Sequence, residues 1–315
     1  MNAAPPAPAS LPNLRDFPDR LPAMLVKELR QGMRAPLFIT PFIVVHLAAT
    51  LAIALEYKNG SGRDLNSPFW IVTFLVVGVI MPLRGFSALR EECDGGNSSL
   101  LILSGLTRWQ IVRGKWLVQI VLSGLTFVSL MPYMLVRYFL GGFELIPNIL
   151  LAGDVLMMSA GVSGCIIGAS GYRAMSMRFI VAGLGIFWVV AGAGSAFTGI
   201  DALSYGSAGE SLAMLLVYAS ALGVQLLYGI TGMQLGRAHL KLYLRPWEVP
   251  PTRAVVSLMF FLPFILLAGA IGLMFWGFPV VLGFVIFAMC RYDRYWSPVT
   301  ATKVRPAAGD SSSPY

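Results

Sequence analysis

The sequence predicts an all-α integral membrane protein with about eight transmembrane helices. Of its 315 residues, 57% are hydrophobic and only 12% are charged, whereas a soluble domain carries roughly 25% charged residues. The mean hydropathy is +0.72. The apolar residues also occur in long runs, and a spanning helix needs roughly 20 of them. These three observations together predict a polytopic membrane protein.

Six apolar runs separated by polar segments each match one spanning helix. They cover residues 37–55, 69–83, 116–138, 149–170, 179–200 and 211–235. Residues 254–290 form a longer apolar region, which as one helix would measure about 55 Å against a hydrocarbon core of about 30 Å. Gly277 and Pro279 near its middle are typical of a tight reversal. We therefore interpret this region as a C-terminal pair of spans, with one long tilted helix as the alternative.

The distribution of basic residues predicts that both termini lie in the cytoplasm. With eight spans, all but three of the 23 Lys and Arg residues fall on the cytoplasmic side, as the positive-inside rule requires. The exceptions are Lys58, Arg63 and Arg137. With seven spans, the basic residues after position 290 would move outside and weaken this asymmetry. We therefore expect a multi-pass protein of the plasma (inner) membrane.

The net charge of +8 is explained by cytoplasmic loops and their attraction to anionic lipid headgroups. In a soluble protein the same excess would suggest a nucleic-acid partner. In a membrane protein we expect the lipid bilayer to be the partner of these charges, and no nucleic acid.

The segments before and after the spans complete the predicted organisation. Residues 1–20 are predicted to be a disordered tail, because the first residues are rich in Pro and Ala and do not resemble a cleavable signal peptide. Residues 21–36 have apolar residues at helical spacing with basic residues off that stripe. This pattern predicts a helix in the membrane interface, and a plain positive flank is the alternative. Residues 236–253 are predicted to be a cytoplasmic linker and residues 291–315 a cytoplasmic tail.

The loop of residues 84–115 is the most informative polar segment. Glu91, Glu92 and Asp94 form a short acidic cluster, and the following Gly95 and Gly96 predict a break in the helix. An apolar stripe comes next, made of Leu100, Leu101, Leu103 and Leu106. An acidic helix, a sharp turn and a second amphipathic helix would form a rigid knob beneath the membrane. The alternative is an ordinary solvated loop.

In this order, these residues resemble the loop between the second and third spans in permease subunits of ABC-2-type exporters. That loop typically reads E-x-E-x-G-T-x-E-x-L-L-x-x-P-[ILV]-[ST]-R-x-x-[IV]-x-x-G-K. The residues here that fall on or close to the pattern are Glu92, Asp94, Gly96, Leu101, Leu106, Thr107, Arg108, Ile111, Gly114 and Lys115. The chain departs from it at Asn97, Ser99 and Gly105. Residues 27–31, which include Lys27, Glu28 and Arg30, are similar to the family's interfacial elbow helix.

The resemblance implies that this chain is the transmembrane subunit of an ATP-driven exporter, with residues 37–235 as the six-span core. A separate cytoplasmic ABC ATPase would dock under two permease chains, identical or different, and a coupling helix in the loop would transmit its movement. The coupling positions would be Glu91, Glu92, Asp94, Gly96, Leu101, Leu106 and Arg108.

The chain has no G-x-x-x-x-G-K-[ST] phosphate loop. ATP would therefore be bound by the partner, and no cofactor is expected in this chain. The alternative function is a non-transporting membrane scaffold or assembly factor with a permease-like fold. The spans carry few charges, which weakly favours lipids, hydrophobic drugs or peptides as cargo.

Asp154 is the acidic residue well inside a predicted span. Such a carboxylate is a functional candidate by default. Arg137 near the outer end of the third span could pair with it. A purely structural pair, or a carboxylate that reaches the outer interface, is the alternative to a substrate or proton site.

Residues 161–164 read G-V-S-G and match the G-x-S-G of rhomboid-type intramembrane serine proteases. His239 is the base that Ser163 would need, but the two are expected at different depths. We therefore predict small-residue helix packing by Gly161, Gly164, Gly168 and Gly171, and likewise by Gly183, Gly185, Gly192 and Gly194. No catalytic residue is assigned. The three cysteines and two histidines lack metal-ligand spacing, so no metal is expected.

Overall fold

Helices make up almost all of the described part of the chain. The computed structural model describes residues 23–59, 67–94, 107–140, 145–172, 174–205, 208–244, 280, 283 and 285–287, and these residues contain no strand. The α-helices are α1 (Ala23–Arg34), α2 (Pro36–Asn59), α3 (Pro68–Thr73), α4 (Ala88–Asp94), α5 (Arg108–Ser129), α6 (Met131–Phe139), α7 (Leu145–Ser170), α8 (Met175–Tyr205) and α9 (Ala208–Leu244).

Five helical segments in the described residues are long and apolar enough to cross a membrane. They are Pro36–Lys58, Pro68–Glu92, Arg108–Phe139, Leu145–Ser170 and Met175–Ile200. These segments contain the first five predicted spans in order, so the prediction of an all-helical membrane protein is confirmed. The sixth predicted span lies within α9.

Other predicted segments are described only in part. Residues 1–20 and 291–315 lie outside the described residues, as does most of 254–290, so the number of eight spans stays a prediction. Residues 21–36 contain α1, which is a helix as expected. The predicted cytoplasmic linker 236–253 stays a prediction, and its first residues, 236–244, are the last part of helix α9.

The second span is an irregular helix. After α3 it passes into a π-helical segment, Phe74–Ile80, and then into a 3-10 segment, Pro82–Ser87, before α4 begins. At the junction the Met81 N–H donates to the carbonyl of Val76, five residues earlier, at 2.9 Å. Pro82 has no N–H to continue the regular ladder. π-Helical turns inside α-helices occur frequently at functional sites.

The core of the bundle is formed where α7 packs against α8 and α9. The backbones of α7 and α9 touch, because a Cβ atom at Gly164 would lie 2.2 Å from the carbonyl oxygen of Gly229. A Cβ at Gly168 would lie 2.4 Å from the carbonyl oxygen of Gly232. Small residues are therefore required at this contact, and the packing prediction for α7 is confirmed.

In α8 the same prediction holds for two of the four glycines. A Cβ at Gly185 would meet Cys165, and one at Gly192 would meet the side chain of Gln225. At Gly183 and Gly194 a Cβ would meet no described atom within 4 Å. For these two glycines packing stays a prediction, because a glycine pattern alone does not show which face of a helix has a neighbour.

Candidate functional site

A buried lysine joins three helices at the end of the bundle from which the loop of residues 95–106 leaves. The Lys115 Nζ atom lies 3.0 Å from Glu92 Oε1 and 3.3 Å from Glu28 Oε1. The lysine side chain is 7% exposed, against 21% for Glu92 and 25% for Glu28. We call these three residues the ionic junction. One ammonium group thus connects α1, α4 and α5.

Local sequence positions Lys115 by fixing where α5 begins. Thr107 precedes the helix, and its hydroxyl oxygen accepts a hydrogen bond from the Gln110 N–H at 3.3 Å. The Gln110 side chain in turn accepts from the Thr107 N–H at 2.8 Å. This reciprocal capping box satisfies two backbone donors at the helix start. Lys115 follows two turns later, on the face that meets α1 and α4.

α1 rests on the second and third spans through apolar contacts as well. Leu25 and Met33 of α1 pack against a buried cluster of side chains, which are Phe38, Met81, Val118 and Leu122. Arg84 in the 3-10 segment lies with its guanidinium 5.6 Å from the Phe38 ring centre. A Cβ at Gly32 would lie 2.8 Å from Arg84 Nη2. Displacement of α1 would therefore disturb the irregular part of the second span.

Gln119 ties the third span to this irregular segment. With its amide oriented to satisfy both neighbours, Gln119 donates to the Pro82 carbonyl at 3.2 Å and accepts from the Gly85 N–H at 3.1 Å. A Cβ at Gly85 would lie 1.8 Å from the Gln119 amide, so any larger residue there would displace the Gln119 side chain from these two bonds. Sequence reasoning missed Gln119, although a glutamine inside an apolar run was a visible signal.

The predicted coupling residues differ in where the structure places them. Glu91 is exposed on α4 and accepts a hydrogen bond from the Ser87 hydroxyl, whereas Glu92 is directed inward to Lys115. Arg108 is the first residue of α5 and is partly exposed. Asp94 ends α4. Gly96, Leu101 and Leu106 lie outside the described residues.

The residues predicted to lie in the membrane interface likewise divide into exposed side chains and one that is directed inward. Lys27 and Arg30 are exposed on α1, whereas Glu28 belongs to the ionic junction. The structure thus brings Glu28 and Glu92 together around Lys115. Lys115 falls on the loop pattern of ABC-2 permeases, but the resemblance implied no coupling role for it.

A set of exposed side chains lies close in sequence to Glu92 and Lys115 of the ionic junction. We call Glu91, Thr107, Gln110 and Arg113 the loop-end surface, because all four are exposed where α4 ends and α5 begins. Beside them, a Cβ at Gly114 would meet no described atom within 4 Å. Packing within the described chain therefore does not explain this glycine of the loop pattern.

The pair between Asp154 and Arg137 that the sequence allowed is not formed. Arg137 Nε donates to Glu56 Oε2 at 2.8 Å, and its Nη2 donates to Ser67 Oγ at 2.9 Å. The guanidinium also lies 5.1 Å from the Phe69 ring centre. Arg137 and Glu56 are 4% and 3% exposed. Arg137 lies beside the end of α2 and the start of α3, so Glu56 is the carboxylate within its reach.

Asp154 is instead paired across the α7–α9 contact. Gln225 Nε2 donates to Asp154 Oδ1 at 2.7 Å, and both side chains are 0% exposed. Nearby, the Tyr218 hydroxyl donates to the Leu150 carbonyl at 2.9 Å. Sequence reasoning missed Gln225 as the partner, although it is a polar residue within the sixth predicted span.

The protease-like pattern does not assemble a catalytic pair. Ser163 is fully buried in α7. His239 contacts Gly171 and packs against Tyr172 with ring centres 4.1 Å apart and the ring planes tilted by 55°. Gly171 is eight residues beyond Ser163, which corresponds to about 12 Å along a helix. His239 is therefore too far along the bundle to serve Ser163 as a base.

The described residues contain no group of three or more His, Cys, Asp or Glu side chains that could hold a metal ion. The described side chains offer ionic pairing at the two ends of the bundle and buried hydrogen-bonded pairs, among them Asp154 with Gln225. No family model, no curated protein and no solved structure matches the chain, so its function is argued from its own residues.

Proposed function

We propose that this chain is the transmembrane subunit of an ATP-driven exporter of the ABC-2 type, and that it transmits movement from a separate ATPase to its spans. The observation that carries the proposal is the ionic junction. Lys115 connects the amphipathic helix α1 to both spans that flank the predicted coupling loop. A force applied to that loop would act on these three helices together.

The junction is suited to transmit force because it is buried on the lysine side. Charge-assisted hydrogen bonds are roughly twice as strong as neutral ones. Separating Lys115 from either carboxylate would leave a poorly solvated charge behind. Glu28, Glu92 and Lys115 therefore move as a unit more readily than they separate.

The irregular second span is the part of the membrane region whose shape such a movement would change. The π-helical segment Phe74–Ile80 and the 3-10 segment Pro82–Ser87 lie directly before α4. Conversion between π and α hydrogen bonding changes the register of a helix without breaking it. A displacement at Glu92 would in this way alter the shape of the second span.

The loop-end surface supplies side chains for a partner. Glu91 and Arg113 are exposed there, and Gly114 leaves space beside them. In the resemblance to ABC-2 permeases, Gly114 and Lys115 close the loop pattern. An ATPase groove that contacts the exposed residues would also lie next to the buried junction.

The test compares two charge reversals at opposite ends of the bundle. The full chain is purified from its source membranes together with the ABC ATPase that associates with it, and ATP hydrolysis per chain is measured. Arg113→Glu at the loop-end surface is expected to lower association and hydrolysis. Lys58→Glu is the matched control, because Lys58 is also an exposed basic residue. It lies at the last turn of α2 near the buried Glu56, at the end of the bundle opposite the loop.

Two results would contradict the proposal. One is that the wild-type chain carries no nucleotide-hydrolysing subunit. The other is that Arg113→Glu and Lys58→Glu affect hydrolysis equally. A complex that hydrolyses ATP without moving any amphiphilic cargo in reconstituted vesicles would favour the scaffold function instead.

A further inference from the structure

The polar pair between α7 and α9 holds fewer hydrogen bonds than its atoms can make. Asp154 Oδ1 accepts from Gln225 Nε2 at 2.7 Å. Asp154 Oδ2 and Gln225 Oε1 have no hydrogen-bond partner among the described residues. Both side chains are 0% exposed. The pair therefore forms one hydrogen bond, and one oxygen atom on each of the two side chains is without a hydrogen-bond partner among the described residues.

A carboxylate form of Asp154 does not fit this arrangement. Both leftover oxygens would then be acceptors, and no described donor reaches either of them. A buried polar group without a partner is destabilising, and a buried charge without a partner is far more so. Oxygen atoms that both lack a donor indicate that one of them carries a proton.

No cation among the described residues compensates for a negative charge on Asp154. Among the described residues, the ionisable side chain that interacts with Asp154 is Tyr218 of α9. The Tyr218 hydroxyl already donates its hydrogen bond to the Leu150 carbonyl. Two basic side chains on other helices that pack against α7 bind elsewhere. Arg178 of α8 donates to the Tyr172 carbonyl, and Lys115 of α5 belongs to the ionic junction.

The second span contributes no compensating charge at this position either. Its π-helical segment, Phe74–Ile80, has no ionisable residue, and Arg84 of the 3-10 segment lies against Phe38. Arg90 of α4 follows Leu89, whose N–H donates to Ser170 Oγ, and Ser170 lies 16 residues from Asp154, about 24 Å along a helix. The surroundings of Asp154 in the described structure are therefore apolar apart from Gln225 and Tyr218.

We propose that Asp154 and Gln225 form a proton-binding site between α7 and α9, in which Asp154 is a carboxylic acid. The proton on Asp154 Oδ2 donates to Gln225 Oε1, while Gln225 Nε2 donates to Asp154 Oδ1. This acid–amide pair uses all four atoms and leaves no net charge. The ligand of the site is a proton, and its binding is independent of any ATPase.

The position of the pair gives proton release a mechanical effect. Gln225 lies at the close backbone contact, where a Cβ at Gly161 would be 2.8 Å from the Gln225 carbonyl oxygen. Loss of the proton would place a negative charge and an unpaired amide oxygen beside this contact. The carboxylate would be hydrated only if α7 and α9 separated. Proton release thus favours an opened core.

Two substitutions at Asp154 distinguish an acid from a carboxylate. Asp154→Asn is the neutral isostere of the acid, because its Nδ2–H can donate to Gln225 Oε1 and its Oδ1 can accept from Gln225 Nε2. Asp154→Leu keeps the number and branching of the side-chain heavy atoms, with methyl groups in place of the oxygens, and removes both bonds. For the full chain in detergent micelles near neutral pH, we expect Asp154→Asn to change the unfolding equilibrium by roughly threefold or less. We expect Asp154→Leu to favour unfolding by roughly tenfold.

The pH dependence of unfolding provides a second readout. If the native state holds a proton that the unfolded chain has released, stability falls as the pH rises. The wild type should show this fall, and Asp154→Asn should lack the part that Asp154 contributes. Equal pH dependence in the two proteins would overturn the proposal.

Infrared spectroscopy observes the acid directly and does not depend on the stability of a variant. The wild type near neutral pH should show a carboxylic-acid C=O band that is absent from Asp154→Asn. In Gln225→Leu the band should shift, because one hydrogen bond to the acid is removed. If the difference spectrum between wild type and Asp154→Asn shows only carboxylate bands, Asp154 is ionised and the site does not bind a proton in this conformation.

Discussion

Lys115 and Glu28 lie 87 positions apart in the sequence, yet Lys115 Nζ and Glu28 Oε1 are 3.3 Å apart. Glu92 completes the arrangement from a third helix at 3.0 Å. The lysine is almost fully enclosed, so its charge depends on both carboxylates. This relationship makes the start of the third span the fixed point to which α1 and the second span attach.

Replacement of Lys115 tests the strength of the ionic junction. Lys115→Met keeps the apolar stem and removes the charge, which leaves Glu28 and Glu92 without their cation. We expect the free energy of unfolding to fall by about 2 kcal/mol. This is less than the usual 3–5 kcal/mol for breaking a fully buried pair, because the carboxylates are partly solvated. Chemical unfolding in micelles measures it. Lys27→Met is the control, since Lys27 is exposed on α1, and equal effects of the two substitutions would show that the junction contributes nothing.

The buried pair between Arg137 and Glu56 predicts strong non-additivity. Arg137→Met alone leaves Glu56 uncompensated, with 3% of its side chain exposed, and should cost about 3–5 kcal/mol. Adding Glu56→Leu removes the stranded charge and should restore much of that loss. A double-mutant cycle on the unfolding free energy measures the coupling. Simple addition of the two single effects would rule out a direct pair.

The contact between α7 and α9 predicts opposite outcomes for one substitution at two glycines. Gly164→Ala would place a Cβ 2.2 Å from the Gly229 carbonyl oxygen, so the backbones must move apart, at a cost of about 1–3 kcal/mol. Gly183→Ala meets no described atom within 4 Å and should be neutral or stabilise α8 by up to about 1 kcal/mol. Thermal unfolding compares them, and a Gly164→Ala protein as stable as Gly183→Ala would refute the close contact.

His239 predicts a pH dependence on the acid side. It lies beyond the sixth predicted span, and burial lowers its pKa below the usual 6.5, an effect that the hydrogen bond to the Leu235 carbonyl partly opposes. The unfolded chain therefore binds a proton at a higher pH than the native protein does. Native stability should fall as the pH drops below about 6.5. In His239→Gln the melting temperature should fall less over the same pH change, and an unchanged slope would show that His239 does not titrate with unfolding.

Local features of the sequence were sufficient for the helices but not for their partners. The length of an apolar run decides whether a helix can span a bilayer, and five such helices are found where the runs predict them. The amphipathic spacing before the first span likewise predicted α1. The π-helical segment Phe74–Ile80 was not predicted, because its residues form the same kind of apolar run as a regular spanning helix.

The candidate site shows the same division. Glu92 was recognised from the loop pattern, but its inward direction toward Lys115 depends on how α4 and α5 pack. Arg137 was recognised as a polar residue near a span end, and the pairing with Asp154 that the sequence allowed is not formed because Arg137 binds Glu56 instead.

The sequence by itself therefore determined that the described chain is a helical membrane protein, where its first five spans lie and that small residues pack α7. The tertiary structure alone decided which polar groups meet: Lys115 with Glu28 and Glu92, Arg137 with Glu56, and Asp154 with Gln225. The physical reason is that apolar length and helical period are local properties of the chain. A buried charge or amide is stabilised only by a partner within hydrogen-bond distance, and that partner is chosen by the packing of helices distant in sequence.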